Sequence, residues 1–165
     1  MTAGAVLWAG CAMAHAQKAV AVPKLDRAAM MQTWHEVARY PVKREKQCSA
    51  NEQVLYALGD KKNSFNVVTE CLIKPGEHNW WDDTGKLDDE GSGRLGIRFW
   101  LIFHHKYWVL AQEPEWMIVG TPNHKSLWLL SHTRTPSPET VDAMKAKAVS
   151  QGFNLKKLVT IPQQN

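Results

Sequence analysis

The 165-residue sequence has three cysteines, no block of like charge, and no apolar run approaching the roughly 20 residues that a membrane-crossing helix needs. Each shortage removes a class of function. Cys11, Cys48 and Cys71 lack the close paired spacing of a structural zinc site. The formal charge of +4 comes from 20 basic and 16 acidic residues and concentrates only at VKREK (Val42 to Lys46) and LKKL (Leu155 to Leu158). That is too dilute for a nucleic-acid partner, because phosphate binding needs a patch that neutralises many charges together. No Gly-rich phosphate loop is present, and the GSG at 91–93 lacks the strand-to-helix context that cradles a phosphate. No nucleophile elbow is present. His104 and His105 are adjacent and read as loop residues, which rarely converge on one ion, while His35, His78 and His124 are scattered and read as surface polar groups. No catalytic residue, metal or cofactor is therefore expected.

Tryptophan is what the chain has in excess, with eight copies. Large aromatics line apolar pockets or fill wide interiors. With 44% apolar and 22% charged residues, the composition is that of one globular domain with a proper core.

The first 16 residues are apolar, contain no Lys, Arg, Asp or Glu, and end in Ala-His-Ala, with small residues where a signal peptidase reads. Residues 1–16 are expected to be a secretory signal, although the basic start of such signals is missing. The same segment holds LWAGC, which resembles a bacterial lipobox with Trp8 at its usual aliphatic position. Two outcomes stay open: lipidation at Cys11, giving a membrane anchor, or cleavage after Ala16. Export would bring Cys48 and Cys71 into an oxidising compartment, where a disulfide is the simplest reading of the pair. Residues 17–28 read as a linker ending in a brief helical turn near Leu25-Asp26, and 29–165 as the domain.

That domain opens with eight short strand-like runs separated by turn chemistry: WHEVARY, EQVLYAL, FNVVTECLI, WWDDTGKL, RLGIRFWLIF, YWVLAQE, WMIVGT and SLWLLSH. Their spacing predicts an antiparallel sandwich or barrel. The period changes only at SPETVDAMKAKAVSQG, where Ser137 reads as an N-cap, Pro138 as the first helical position and Gly152 as the C-terminal stop. Val141, Met144 and Ala148 form the stripe that packs this helix on a sheet, and NLKKLVTIP supplies a last short strand.

The stretches QTWHEVARYP, GIRFW, YWVLAQEPEWMIVGTPNHKSLWLLSHT and the Pro-capped helix resemble the lipocalin family, in particular its bacterial outer-membrane and apolipoprotein D-like branch. The resemblance runs from about Met30 to Pro162. It implies an all-β, eight-stranded antiparallel up-and-down barrel with one C-terminal α-helix packed outside. Trp34, Glu36, Ala38 and Arg39 stand where members carry the first-strand motif, and members often carry a cysteine pair like Cys48 and Cys71. Two positions depart: Gln32 replaces the glycine two before the tryptophan, and His132 the arginine that packs across it, with Arg134 two residues on.

A barrel of eight strands is just wide enough to be filled by side chains or to hold one small ligand. Alternation places Trp34, Glu36 and Ala38 inward, and Trp128 and Leu130 with His132. The resemblance adds Met30, Tyr56 and Phe99 to the expected ligand-binding set. The function it implies is binding, storage or transport of a fatty acid, lysophospholipid or other small hydrophobic ligand by an exported protein of the periplasm or outer membrane. A lipocalin-type enzyme, which would need an inward nucleophile or acid/base pair, with Cys48 and Cys71 as candidates only if reduced, and a structural envelope lipoprotein with a filled barrel are the alternatives. Whether two copies pair as a homodimer stays open.

Overall fold

The computed structural model describes residues 17–99 and 103–164. The expected signal segment, with Cys11, lies outside the described residues, as does the side chain of Phe99.

Eight strands run up and down in chain order: β1 (Thr33–Arg39), β2 (Ala50–Leu58), β3 (Ser64–Lys74), β4 (Glu77–Leu87), β5 (Arg94–Phe99), β6 (Phe103–Gln112), β7 (Trp116–Gly120) and β8 (Leu127–Ser131). Each pairs antiparallel with the next, and β1 pairs with both β2 and β8, which closes the barrel. Period-2 burial drives this arrangement. In β2 the buried Glu52, Val54 and Tyr56 alternate with more exposed neighbours.

The interior is filled by Trp34, Val54, Tyr56, Phe65, Val67, Leu87, Leu95, Ile97, Val109, Met117, Val119 and Leu130. A second apolar layer lies outside the barrel, where α2 (Pro138–Ser150) lays Met144 and Ala148 against Leu110, Ile118, Leu127 and Leu129. The helix starts as expected, with the Ser137 hydroxyl accepting from the Thr140 N–H and Pro138 in the first turn. Gly152 ends it at φ +86°, and a Cβ there would sit 2.3 Å from the Gln17 carbonyl oxygen, so conformation and space both demand glycine.

Three expectations change. The fifth run is divided between β5, which ends at Phe99, and β6, which begins at Phe103, so His104 and His105 lie on β6 and not in a loop. The stretch RFWLIF contains no Gly or Pro, which is why periodicity runs straight through it. Secondly, β1 does not alternate to its end. Its register against β8 slips between Glu36 and Ala38, a β-bulge that turns Ala38 outward to the helix layer and Arg39 inward. Thirdly, the stretch 17–28 is bound to the barrel along its length. Val22 N–H donates to the Val109 carbonyl at 2.8 Å and Leu25 N–H to Gly91 at 2.9 Å, leading into the one-turn α1 (Arg27–Met30) capped by Asp26.

After the bulge β1 leaves β2. It pairs with β2 only over Thr33–His35, and Ala38 and Arg39 pair with a short β9 (Val159–Thr160) from the chain's end. The tail beyond β9 bridges the resulting seam. Asn51 N–H donates to the Pro162 carbonyl at 2.9 Å, and Gln163 Nε2 to the Glu36 carbonyl at 3.0 Å.

Cys48, just before β2, is bonded to Cys71 on β3, with the Cα atoms 5.6 Å apart. The bond closes a loop spanning 23 residues and is expected to contribute about 3 kcal/mol through the entropy of the unfolded chain. Replacing both cysteines by alanine should lower the melting temperature by roughly 10 °C in oxidising buffer and leave the melt insensitive to dithiothreitol. A second test concerns Gly85 on β4, where a Cβ would lie 2.1 Å from the ring of fully buried Phe65. Gly85→Ala should cost about 1–3 kcal/mol by overpacking, read by urea denaturation.

Candidate functional site: the barrel cavity

The floor of the barrel is built first by Trp34. Its side chain is fully buried, and its indole N–H donates to the Met30 carbonyl at 3.0 Å, tying β1 to the helical turn beneath. The His132 ring stacks on it with centroids 3.7 Å apart and planes 25° from parallel. Gln32 Nε2 lies 3.0 Å from His132 Nε2 and also donates to the Ala29 carbonyl. The two departures from the family pattern are therefore partners: the side chain in place of glycine holds the ring in place of arginine.

Above this floor lies a cavity of about 110 Å³. Val54, Tyr56, Val67, Ile97, Val119 and Leu130 form its apolar wall. Glu36, Tyr56, Trp128 and Leu130, all expected as ligand contacts, border it, whereas Met30 and Trp34 lie beneath it in the interior core. The position of Phe99's side chain is outside the described residues.

Polar groups crowd one side. Arg39 donates to both oxygens of Glu52, from Nε at 2.6 Å and from Nη2 at 2.8 Å, a bidentate pair held in the seam between β1 and β2. Its Nε is also 2.8 Å from Glu45 Oε2 and 3.6 Å from Glu36 Oε2. One guanidinium thus faces three carboxylates, all four residues buried. Burial, then repulsion from Glu45 and Glu52, pushes the Glu36 carboxyl well above the usual range, and its Oε2 has no hydrogen-bond partner. Burial also raises Glu45, to about 7, against the attraction of Arg39. For Arg39 desolvation would favour the neutral form, but Glu52, Glu45 and Glu36 outweigh it and its pKa rises. The three carboxylates approach one another closely enough to suggest a metal site, but Arg39 already provides the cation among them.

The mouth is spanned by the segment between β1 and β2, which makes a single 3-10 turn over Lys43–Glu45. Val42, Arg44 and Glu45 reach the cavity from it. Arg44 Nη1 donates to Asp83 Oδ2 on β4 at 2.7 Å, and its guanidinium lies 5.2 Å from the centre of the Trp81 ring. Burial raises Asp83, with Arg44 opposing it, and Tyr107 at the same rim is pushed up to about 12 by burial. Sequence reasoning passed over Arg44, Glu45, Trp81, Asp83 and Tyr107. For Trp81 and Asp83 a signal existed, because they share the parity of Leu87, an inward apolar residue on the same strand.

A closed eight-stranded barrel with an outer C-terminal helix, an indole floor and an apolar cavity beneath a looped mouth matches one family. A model of the lipocalin-like domain fits residues 25–163. The chain belongs to the lipocalin family. Lipocalins are chiefly binders and carriers of small hydrophobic molecules, and the site just described is this chain's version of their cavity. Among its relatives is the outer membrane lipoprotein Blc of Citrobacter freundii, 29% identical over 147 residues that span 86% of this chain and 81% of that one. Temperature-induced lipocalin-1 of Arabidopsis thaliana is 25% identical over 146 residues, covering 82% and 77%. Of solved structures, insecticyanin from the tobacco hornworm Manduca sexta superposes with a TM-score of 0.71 at 18% identity, covering 92% of this chain and 87% of that one. Lobster apocrustacyanin A1 gives 0.67 at 12%, covering 85% and 81%.

The raised Glu45 carboxyl fixes a sign. Its pKa is about 7 in the folded protein and near 4.5 when unfolded, so between those values the folded state holds the extra proton. This contribution to stability is greatest below about pH 4.5 and is lost as pH rises towards 7. Glu45→Gln should flatten the fall in stability between pH 5 and 8 and raise it at pH 8 by on the order of 2 kcal/mol, measured by urea denaturation across that range.

Proposed function

We propose that this lipocalin binds an acyl lipid, a fatty acid or a lysophospholipid, in the barrel as an exported protein of the periplasm or outer membrane. The observation that carries the reading is the cavity itself: an apolar wall of Val54, Val67, Ile97, Val119 and Leu130, with Tyr56, Tyr107 and the Arg44–Asp83 pair gathered on its polar side. An acyl tail suits the wall, and its polar end suits the rim, where Arg44 is the cation nearest the entrance. The relatives named outer membrane lipoprotein support the location, and they favour lipidation at Cys11 over cleavage after Ala16.

At about 110 Å³ the cavity is smaller than the roughly 300–1,000 Å³ of pockets that enclose a drug-sized molecule. Entry of a long chain therefore requires the Val42–Glu45 segment to lift and Arg44 to leave Asp83. Cys48 and Cys71 are bonded to each other, so neither is free to serve the enzyme alternative as a nucleophile.

Titration with palmitate and with lysophosphatidylcholine should change the tryptophan emission, because Trp81 and Trp128 border the cavity. Mass spectrometry of the protein purified from its own envelope should show retained lipid. Val67→Phe with Val119→Phe, which fills the cavity, should weaken binding at least tenfold while the circular dichroism spectrum is kept. Absence of retained lipid together with an unchanged emission in both titrations would establish the filled-barrel reading instead.

A further inference from the structure

A second hollow lies outside the barrel, on the outer face of β3 to β6. It is a groove of about 950 Å³, against about 110 Å³ within. Its centre is Gly96 on β5, where a Cβ would meet no atom within 4 Å. The cross-strand partners of Gly96 are Lys86 on β4 and Lys106 on β6, and two residues to either side on the same face stand Arg94 and Arg98. Four cations thus ring one glycine, and Lys61 and Lys62 from the β2–β3 hairpin extend the set.

Three carboxylates offset half of the six cations that line the groove, which stays net positive, and Glu70 and Asp82 stand on the same outer face nearer Trp80. Asp60, Asp88 and Asp89 line one end of the groove. Asp88 is engaged by the Ser92 hydroxyl at 2.5 Å, and Asp89 by Asn63 Nδ2 at 2.5 Å, with Lys86 as far as 3.9 Å away. Among the described residues no carboxylate is paired with Lys61, Lys62, Arg98 or Lys106.

Indoles accompany the cations. The Arg94 guanidinium lies 6.0 Å from the centre of the Trp108 ring, which lines the groove. Trp80, 66% exposed, projects from the same outer face of β4 as Lys86. Lysine and arginine with exposed tryptophan is the composition of a surface that sits at a bilayer's headgroup level, where the amphipathic ring and the cation are both satisfied.

We propose that the outer face of β3–β6, centred on the Gly96 groove, docks this protein on anionic phospholipid headgroups. The groove accepts headgroup phosphates between Arg94, Arg98, Lys86 and Lys106, and Trp80, six residues from Lys86 along β4, enters the interface further along the same face. This surface is separate from the barrel cavity and stands whether or not an acyl lipid occupies that cavity.

The test is flotation of the full chain with phosphatidylcholine vesicles and with vesicles containing 30% phosphatidylglycerol, at low and high salt. The readout is the difference between the two vesicle types, so any apolar affinity of residues 1–16 cancels. Binding should favour the anionic vesicles and fall as salt rises. Arg98→Glu with Lys106→Glu should reduce it at least about tenfold, whereas Lys147→Glu with Lys156→Glu, the same charge change on the helix side, should keep most of it. The Arg98→Gln, Lys106→Gln pair should lose an intermediate amount and covers the case in which charge reversal disturbs the sheet, checked by near-ultraviolet circular dichroism. Equal binding to both vesicle types overturns the proposal, as does an equal loss in the helix-side variant. Tight binding of inositol hexakisphosphate without vesicle binding would overturn it too, by making the groove a site for a soluble anion.

Discussion

The bidentate pair between Arg39 and Glu52 holds a place where the barrel wall is not stitched by its own backbone. Beyond His35 the first strand has left the second, so the backbone ladder between them is missing there. A side-chain bond between β1 and β2 spans the gap, and the surroundings are arranged around it. Glu36 and Glu45 take up the remaining face of the guanidinium, and the tail after β9 covers the seam from outside. Removing one partner of such a pair would leave an unpaired charge in the interior, which is far costlier than the pair's net worth. The mouth inherits its geometry from the same bond, because Glu45 reaches Arg39 only while the turn over Lys43–Glu45 lies across the opening.

Much of the architecture was legible in the sequence. Eight alternating runs, a Pro-capped helix and a final short strand are each a local pattern with a local cause, and the structure contains them all. What alternation could not show were its own interruptions. The bulge after Glu36 has no glycine or proline to announce it, and it alone decides that Arg39 faces inward and Ala38 outward. The division between β5 and β6 falls inside a run of apolar residues, where periodicity has no reason to stop. The cavity's ceiling was the least legible part, because Arg44 and Glu45 belong to a connecting segment whose position depends on partners from β1 and β4. Tyr56, Trp128 and Leu130 were within reach because they lie on regular strands.

The floor shows how a family feature is kept while its residues change. A flat cationic group over an indole can be replaced by a flat ring, and His132 stacks where an arginine was expected. A histidine is shorter and needs fixing from the side, and Gln32 does this at the position where glycine was expected. Neither substitution makes structural sense alone.

The split allegiance of β1 has a consequence for how the molecule is made. Its first strand finds β2 early in synthesis, but its other partners, β8 and β9, lie about 90 and 120 residues further along. Until β8 reaches β1 the chain is an open sheet with two bare edges, exposed to pairing with neighbouring chains. Closure waits on β8, and β9 with the buried Ile161 then covers the part of β1 that β2 leaves.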